Sequence, residues 1–480
     1  MQTAPPAPSS AFDRTAFALL CALVVWAPIP LGSHRPWAWS ILEAGIFLAG
    51  LLWLAGWARR EPRAEPVLRA ARPALAVFGA WLAWLLLQWI PLPAGLVAAL
   101  SPAAAALHAG ADYLGPPGRW ITLSVDPHAS QAFWLKSCAY GVAFFLVLAM
   151  LGSHRRVALF CGAIVASGLL QAFVGGLLHL SHAEVEILGM GMAYESWATG
   201  TYVNRNHFAG LLEMSLATGI GLMIGQLADA PPRPWRRAIA DTAALLLSGR
   251  AMLRLILVIM VIALVLSRSR MGNIAFFSSL LVTGALALAF SRRAPRSTSL
   301  FIASLVAIDL LLVGAWFGAE HTVRRIAETT QADVGARAEP GALALHILRE
   351  HPVFGSGAGT FYVAFPKHRT GDVRDFYDYA HNDYVQFLVE TGVVGFGLAG
   401  LFAAAGLACA VLALVRRRDA LLRGVAFGAT MGLLSIAIHS AVDFNLQIPA
   451  NAFLFVCLLG LGWVALHLDR HSTEAGPRAR

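Results

Sequence analysis

Residues 381–415 read HNDYVQFLVETGVVGFGLAGLFAAAGLACAVLALV. The stretch opens on three polar side chains, His381, Asn382 and Asp383, and then stays mostly apolar to Val415, with Glu390 its one charged residue. About 20 apolar residues suffice for a helix to cross a ~30 Å hydrocarbon core, so this reads as a membrane helix with a polar mouth. Comparable runs fall at 15–30, 37–57, 73–91, 131–151, 156–180, 206–227, 245–267, 271–290, 298–318, 421–441 and 450–468. An all-α integral membrane protein with about 12 transmembrane helices is expected. The run at 245–267 is the weakest, because Arg250 and Arg254 interrupt it.

Composition agrees. Of the 480 residues, 58% are hydrophobic and 13% charged, where a soluble domain carries roughly 25% charged residues. An outer-membrane barrel would need short alternating strands, and the sequence has none. Cys21, Cys138, Cys161, Cys409 and Cys457 all fall in apolar runs, which excludes both a disulfide framework and a zinc motif. The N-terminal MQTAPPAPSSAFDR has no convincing cleavage site after the run that follows, so that run reads as a retained signal anchor. No strand–glycine-loop–helix pattern for a nucleotide is present.

The net charge of +9 is explained by where the arginines sit, and nucleic acid is not needed to account for it. Arg59, Arg60, Arg63, Arg69 and Arg72 follow the second run, and Arg416, Arg417, Arg418 and Arg423 follow the run that begins at 383. With the N-terminus in the cytoplasm, alternation places these and most other arginines on the cytoplasmic side, as the positive-inside rule requires. The topology is then N-in and C-in. Residues 319–382 form one large extracytoplasmic loop, too long to be a mere connection. Within it lie a helical stretch, ALALHILRE (342–350), and the glycine-rich HPVFGSGAGTFYVAF (351–365). The chain divides into 1–318, about nine helices; the loop 319–382; 383–468, about three helices; and a cytoplasmic tail, 469–480.

Five polar clusters then share the outer face: PLGSHRPW (30–37), TYVNRNHFAG (201–210), LSRSRMGN (266–273), YAHNDY (379–384) and HSAVDFNLQIPAN (439–451). Each has a plainer reading. Arg205 could snorkel, Asn204 could cap the helix near His207, and Arg268 and Arg270 could be the basic end of a helix. Asp383 with Gln386 has capping-box spacing, which leaves His381 unexplained. His439, before Asp443 and Asn445, reads as a polar plug in a short turn. Glu43, Glu213, Asp309 and Glu390 lie inside apolar runs, where an ionisable group needs a partner or a wet cavity. For Glu213 and Glu390 structural roles are preferred. It is the restriction of the clusters to one face that favours a site there.

Taken together, YVNRNHFAG, LSRSRMGN, HPVFGSGAGTF, HNDYVQFLVETGVVG and HSAVDFNLQIPANA resemble the O-antigen ligase and O-antigen polymerase superfamily of bacterial inner-membrane enzymes. The most specific piece is His381-Asn382, then nine residues, then Gly392 and Gly395. The likeness spans roughly 200–450. It implies a GT-C-like, all-helical glycosyltransferase that passes a glycan from an undecaprenyl-diphosphate carrier to an acceptor hydroxyl in the periplasm. It also implies that Arg205 and Arg270, with Arg268 third, bind the diphosphate, and that His381 is the acceptor's base. Asn204, Asn206, His207, Asn382 and Asp383 would support them.

The chemistry suits these residue types. Guanidinium groups offer fixed, always-charged, bidentate donors to a diphosphate leaving group, and histidine has the pKa for a general base near neutrality. No paired carboxylates on the outer face call for a metal, and no cofactor is expected. Attack opposite the diphosphate would invert the anomeric centre. The ligase reading, with lipid A–core as acceptor, is preferred over a polymerase, whose acceptor is a second lipid-linked glycan. A protein-glycosylating transferase comes third. A flippase for the same lipid would need polar residues along the whole crossing.

The topology is tested by single cysteines. At positions 330 and 120 they should react with an impermeant maleimide in spheroplasts, and at position 65 they should not; labelling at 65 would overturn the placement of every cluster.

Overall fold

The computed structural model describes residues 11–59, 66–111, 119–181, 185–187, 190–192, 197–228, 249–290, 304, 341–369 and 377–468. Its long helices are α1 (Ala11–Trp26), α2 (Pro36–Trp57), α3 (Arg72–Trp89), α4 (Pro127–Met150), α5 (His154–Ser181) and α6 (Arg205–Ala228). They continue with α7 (Gly249–Leu266), α8 (Arg270–Phe290), α9 (Asp383–Arg416), α10 (Ala420–His439) and α11 (Pro449–His467). Two short antiparallel ladders, Leu92–Pro93 with Trp120–Ile121 and Val185–Ile187 with Met190–Met192, are the strands among the described residues. Eight helices there are long and apolar enough to cross a membrane: α2, α4, α5, α6, α8, α9, α10 and α11. Helices also stand at the runs expected from 15, 73 and 245, but they fall short of that length or hydropathy. The run expected at 298–318 lies outside the described residues apart from Ser304. The chain is a multi-pass helical membrane protein. Leu48, Leu51 and Leu54 on α2 are about half exposed, a surface suited to lipid and a liability in water.

Helix α6 is the axis of the fold. Residues 206–225 are buried without exception, the polar ones among them, such as Asn206 and Glu213, included. It packs against α5, α7, α8, α10 and α11. Contact with α10 is backbone to backbone: a Cβ on Gly221 would stand 2.3 Å from Gly424 O, and one on Gly424 2.3 Å from Gly221 O. Small residues allow this approach, and between membrane helices packing of this kind is what holds neighbours together. At the other end of the helices from the polar clusters, Arg156 reaches Asp13 and His154 pairs with Asp419 at 2.9 Å. Asp419 also caps α10 through Leu422 N–H.

The second feature is a break inside α9. Gly392 has φ +67° and ψ 179°, so the helix stops and restarts there. Carbonyls freed by the break are taken up from outside the helix. Ser356 N–H donates to Val389 O at 3.0 Å, Gly357 N–H to Glu390 O at 3.0 Å, and Trp84 Nε1–H to Thr391 O at 2.9 Å. Gln88 Nε2 bridges Glu390 O (2.9 Å) and Phe354 O (2.6 Å), and Val393 N–H reaches Pro352 O at 3.0 Å. Broken helices are tolerated at membrane depth only where protein satisfies the backbone in this way. The segment 351–361 therefore docks into α9 as a wedge. The helix at 341–350, matching the expected one, packs on it through Ala344 and Ile347 against Phe361, Phe365 and Val389.

Both glycines of the motif are thus explained sterically. A Cβ on Gly392 would stand 2.1 Å from Val353 O, and one on Gly395 2.6 Å from the Thr391 Cβ. Gly392→Ala should lower the thermal unfolding midpoint in detergent, at a cost of at least about 2 kcal/mol from the left-handed backbone and the clash. Gly397→Ala, with nothing within 4 Å, should leave the midpoint unchanged or raise it by up to about 1 kcal/mol. Equal midpoints for the two variants would refute the wedge.

Candidate active site

The polar clusters meet around the turn between α10 and α11. Asn206, on the first turn of α6, donates through Nδ2 to Asp443 Oδ2, and its Oδ1 accepts from Ser269 Oγ at 2.9 Å. Ser269 lies between Arg268 and Arg270, and Asn206 follows Arg205. One asparagine thereby ties both arginine-bearing segments to one loop. His207 Nε2 lies 3.3 Å from Asp443 Oδ1. Burial works against ionising Asp443, yet the hydrogen bond and charge of His207, the charge of His439 and the Phe444 N–H hold it well below the usual carboxylate range. It lies between the starts of α6 and α9.

Phe444 joins the remaining parts. Its ring stacks on Tyr379 at 4.5 Å and meets His207 edge-on at 4.5 Å and His381 at 4.9 Å. His381 also touches Tyr377, 5.9 Å between centroids, and Tyr379 lies 6.0 Å from His34. Four of the five clusters are in contact through these rings, and LSRSRMGN joins them through Ser269. Phe444 carries no chemistry of its own, so nothing in the sequence marked it beyond an aromatic set between Asp443 and Asn445.

The other expected residues divide. Asn204 caps α6, its Oδ1 accepting from Asn206 N–H at 2.8 Å. Arg205 lies over the Trp197 ring at 4.3 Å. Arg270 begins α8, and both it and Arg268 are exposed. The expected cap on α9 needs a correction. Asn382 is the cap, with Oδ1 accepting from Val385 N–H at 3.1 Å and Nδ2 donating to Ala441 O at 2.7 Å. Asp383 is buried one residue inside, and its carboxylate accepts from Ser440 Oγ (2.8 Å), Leu446 N–H (3.0 Å) and Gln447 Nε2 (3.4 Å). The shift follows from Gln386, which turns back to accept from Ala380 N–H at 2.7 Å while donating to Glu390 at 2.6 Å.

Glu213 pairs with His439 at 2.8 Å and accepts from Ser435 Oγ at 2.7 Å, a structural role inside the bundle. Glu390 makes no ion pair among the described residues. Its carboxylate accepts from Gly359 N–H (2.9 Å) and Phe361 N–H (3.0 Å) and so clamps the wedge. Asp309 lies outside the described residues. Among those residues no group of three or more histidine, cysteine, aspartate or glutamate side chains is arranged to hold a metal ion.

Backbone strain marks the same rim. Among the described residues the non-glycine positions with positive φ are Leu31, Ser33, Arg268 and His381, all within the polar clusters. Each costs about 1–2 kcal/mol, and such residues gather at functional sites.

Fold and site define a multi-pass membrane protein that presents arginines and a histidine from converging helix ends around a buried aspartate. Residues 255–400 match the family model described as O-antigen ligase. The matched stretch contains Arg268, Arg270, His381, Asn382, Gly392 and Gly395, while Arg205 and the α10–α11 turn lie outside it. No curated protein matches the chain.

The corrected cap is testable by thermal unfolding. Asn382→Ala should cost about 1 kcal/mol, whereas Asp383→Ala, which strands buried donors, should cost about 3 kcal/mol or more. The reverse order would restore Asp383 as the cap.

Proposed function

We propose that this protein transfers a glycan from an undecaprenyl-diphosphate carrier to an acceptor hydroxyl at the rim built by the α6, α8 and α9 starts and the α10–α11 turn. The observation that carries the reading is the Ser269–Asn206–Asp443 chain of hydrogen bonds, which brings the arginine-bearing segments beside the α10–α11 turn, whose Phe444 meets His381. The family match over 255–400 supports the same chemistry.

In this mechanism Arg205 and Arg270, with Arg268, bind the diphosphate. His381 takes the proton from the acceptor hydroxyl as its oxygen attacks the anomeric carbon. The bond from that carbon to the phosphate oxygen breaks, the lipid diphosphate leaves with the electron pair, and the centre inverts. Fixed guanidinium donors are worth several kcal/mol as charge develops on the leaving oxygen, and a positioned base contributes about 10²–10⁴-fold. Asn204, Asn206, His207, Asn382 and Asp383 position these groups. The acceptor is lipid A–core in the ligase form, which we favour, and a second lipid-linked glycan in the polymerase form. The site is periplasmic and the termini cytoplasmic. A flippase is disfavoured because the clusters gather at one end of the helices.

His381→Ala should cut turnover about 10²-fold or more, with carrier binding and folding retained. Arg205→Lys and Arg270→Lys should each impair transfer substantially, since lysine keeps the charge and loses the planar fork. Near-normal transfer in the two lysine variants would reject the diphosphate role. In a deletion strain, loss of all polymer from lipid A–core with accumulation on the carrier marks a ligase; a single repeat on the core marks a polymerase.

A further inference from the structure

A cavity of about 680 Å³ lies among α2, α3, α4, α9, α10 and α11. It is a separate space from the arginine-bearing turns. Arg205, Arg268 and Arg270 are not among its lining residues, yet Tyr379 is, and Tyr379 stacks on Phe444 beside His381. Its volume falls within the ~300–1,000 Å³ usual for small-molecule sites, and its wall holds both aromatic rings and cations. Phe78, Trp81, Phe396 and Phe402 line the part deep between the helices, while Arg35 and Lys136 stand at the end shared with Tyr379.

Lys136 is the unexpected member. It sits nine residues into α4, about 14 Å along its axis at 1.5 Å per residue, on a helix apolar enough to cross a membrane. An ammonium group at such a position faces a cavity or a substrate path by default. Its Nζ lies 3.9 Å from the Trp39 ring centroid, and no ion pair of Lys136 occurs among the described residues. Three acids stand on the cavity wall, Asp378, Asp383 and Glu390, and the last two are held by hydrogen bonds. Glu390 accepts from Gly359 N–H, Phe361 N–H and Gln386, and Asp383 from Ser440, Leu446 N–H and Gln447. Lys136 and Arg35 act on His34 there, while Glu43 and Glu390 act on Lys136. His34, also on the wall, is pushed down to about 4, first by burial and then by the charges of His207, Lys136 and Arg35.

We propose that this cavity seats a second phosphorylated lipid, its phosphate held by Lys136 and Arg35 and its chain laid along Phe78, Trp81, Phe396 and Phe402. The geometry suits an amphipath: cations at one end, aromatic and aliphatic wall at the other, in a protein surrounded by lipid. That this lipid is the acceptor rests on the transfer reading above; that it binds does not. A polyprenyl diphosphate and an acylated, phosphorylated glucosamine disaccharide share the needed chemistry, a phosphate beside a hydrocarbon tail.

The test uses the full chain in lipid nanodiscs with a photoreactive benzoylphenylalanine at position 396. Undecaprenyl diphosphate and a hexa-acylated, bisphosphorylated glucosamine disaccharide serve as separate probes. At least one should give an adduct at 396. Lys136→Met should lower that adduct tenfold or more, Lys136→Arg should retain it, and Arg205→Gln should leave it in place. Ala403→Trp, which fills the cavity, should abolish it whatever stands at 136. Labelling by the disaccharide alone makes the occupant an acylated saccharide, and labelling by the polyprenyl probe makes it a carrier lipid; either supports the site. No adduct with either probe, or an adduct insensitive to both Lys136→Met and Ala403→Trp, overturns it. The assay needs no turnover, so its failure is distinct from failure of the transfer reading, which the His381→Ala rate decides.

Discussion

Between Val389 and Val393 the backbone of α9 abandons its own hydrogen-bond ladder and shares it with a different part of the chain. The left-handed Gly392 makes this sterically feasible, and the 351–361 wedge with Gln88 and Trp84 makes it energetically tolerable. A buried carbonyl left without a donor costs about 1–3 kcal/mol, so three of them would be a severe burden on a membrane bundle. Once paired, they fasten the described part of the loop to α9 and α3. The fastening then runs upward. Glu390 holds the wedge by two backbone N–H groups and accepts from Gln386, and Gln386 accepts from Ala380 N–H, next to His381. The backbone that carries His381 is therefore set by a break some three turns below it.

A second constraint comes from buried polar side chains at the other wall of the site. Asp383, Asp443, Asn445 and Asn451 are all nearly inaccessible. Tyr202 OH donates to Asn451 Oδ1 at 2.9 Å, and Asn451 Nδ2 donates to His207 O at 2.9 Å and Asn445 Oδ1 at 3.0 Å. Such a network is favourable only when nearly every member is satisfied. In return it fixes the α10–α11 turn relative to the starts of α6 and α9, which apolar packing alone would leave free to slide. The strained backbones of Arg268 and His381 lie at the edges of this network, where packed neighbours on both sides can hold them.

Much of this was legible in the sequence because hydropathy is a long-range signal. Apolar runs gave the helices, and the repeated appearance of polar clusters at run ends gave the segments that meet. Single caps and partners were less legible. Capping-box spacing pointed to Asp383, but the choice between Asn382 and Asp383 depends on Ser440 and Leu446, more than fifty residues away. Glu390 could be recognised as needing a partner, but its partners are backbone N–H groups with no side-chain signature. Phe444 and Lys136 carry no sequence signal for a related reason: an aromatic in a polar turn and a lone cation in an apolar run acquire meaning only from what faces them.

The placement of Phe444 bears on the chemistry in a way that no individual residue does. A displacement of the proposed kind requires the attacking oxygen and the leaving diphosphate on opposite sides of one carbon, with the base on the side of the attack. Two anionic lipids also have to be kept apart, because like charges in a poorly solvated rim repel strongly. Phe444 contacts His207, next to the arginine-bearing turns, and also Tyr379, which lines the cavity of Lys136 and Arg35. His381 meets the same ring. In the proposed transfer, a ring set between these two groups of basic residues would let each hold its own phosphate, with the histidine where the two sugars would meet.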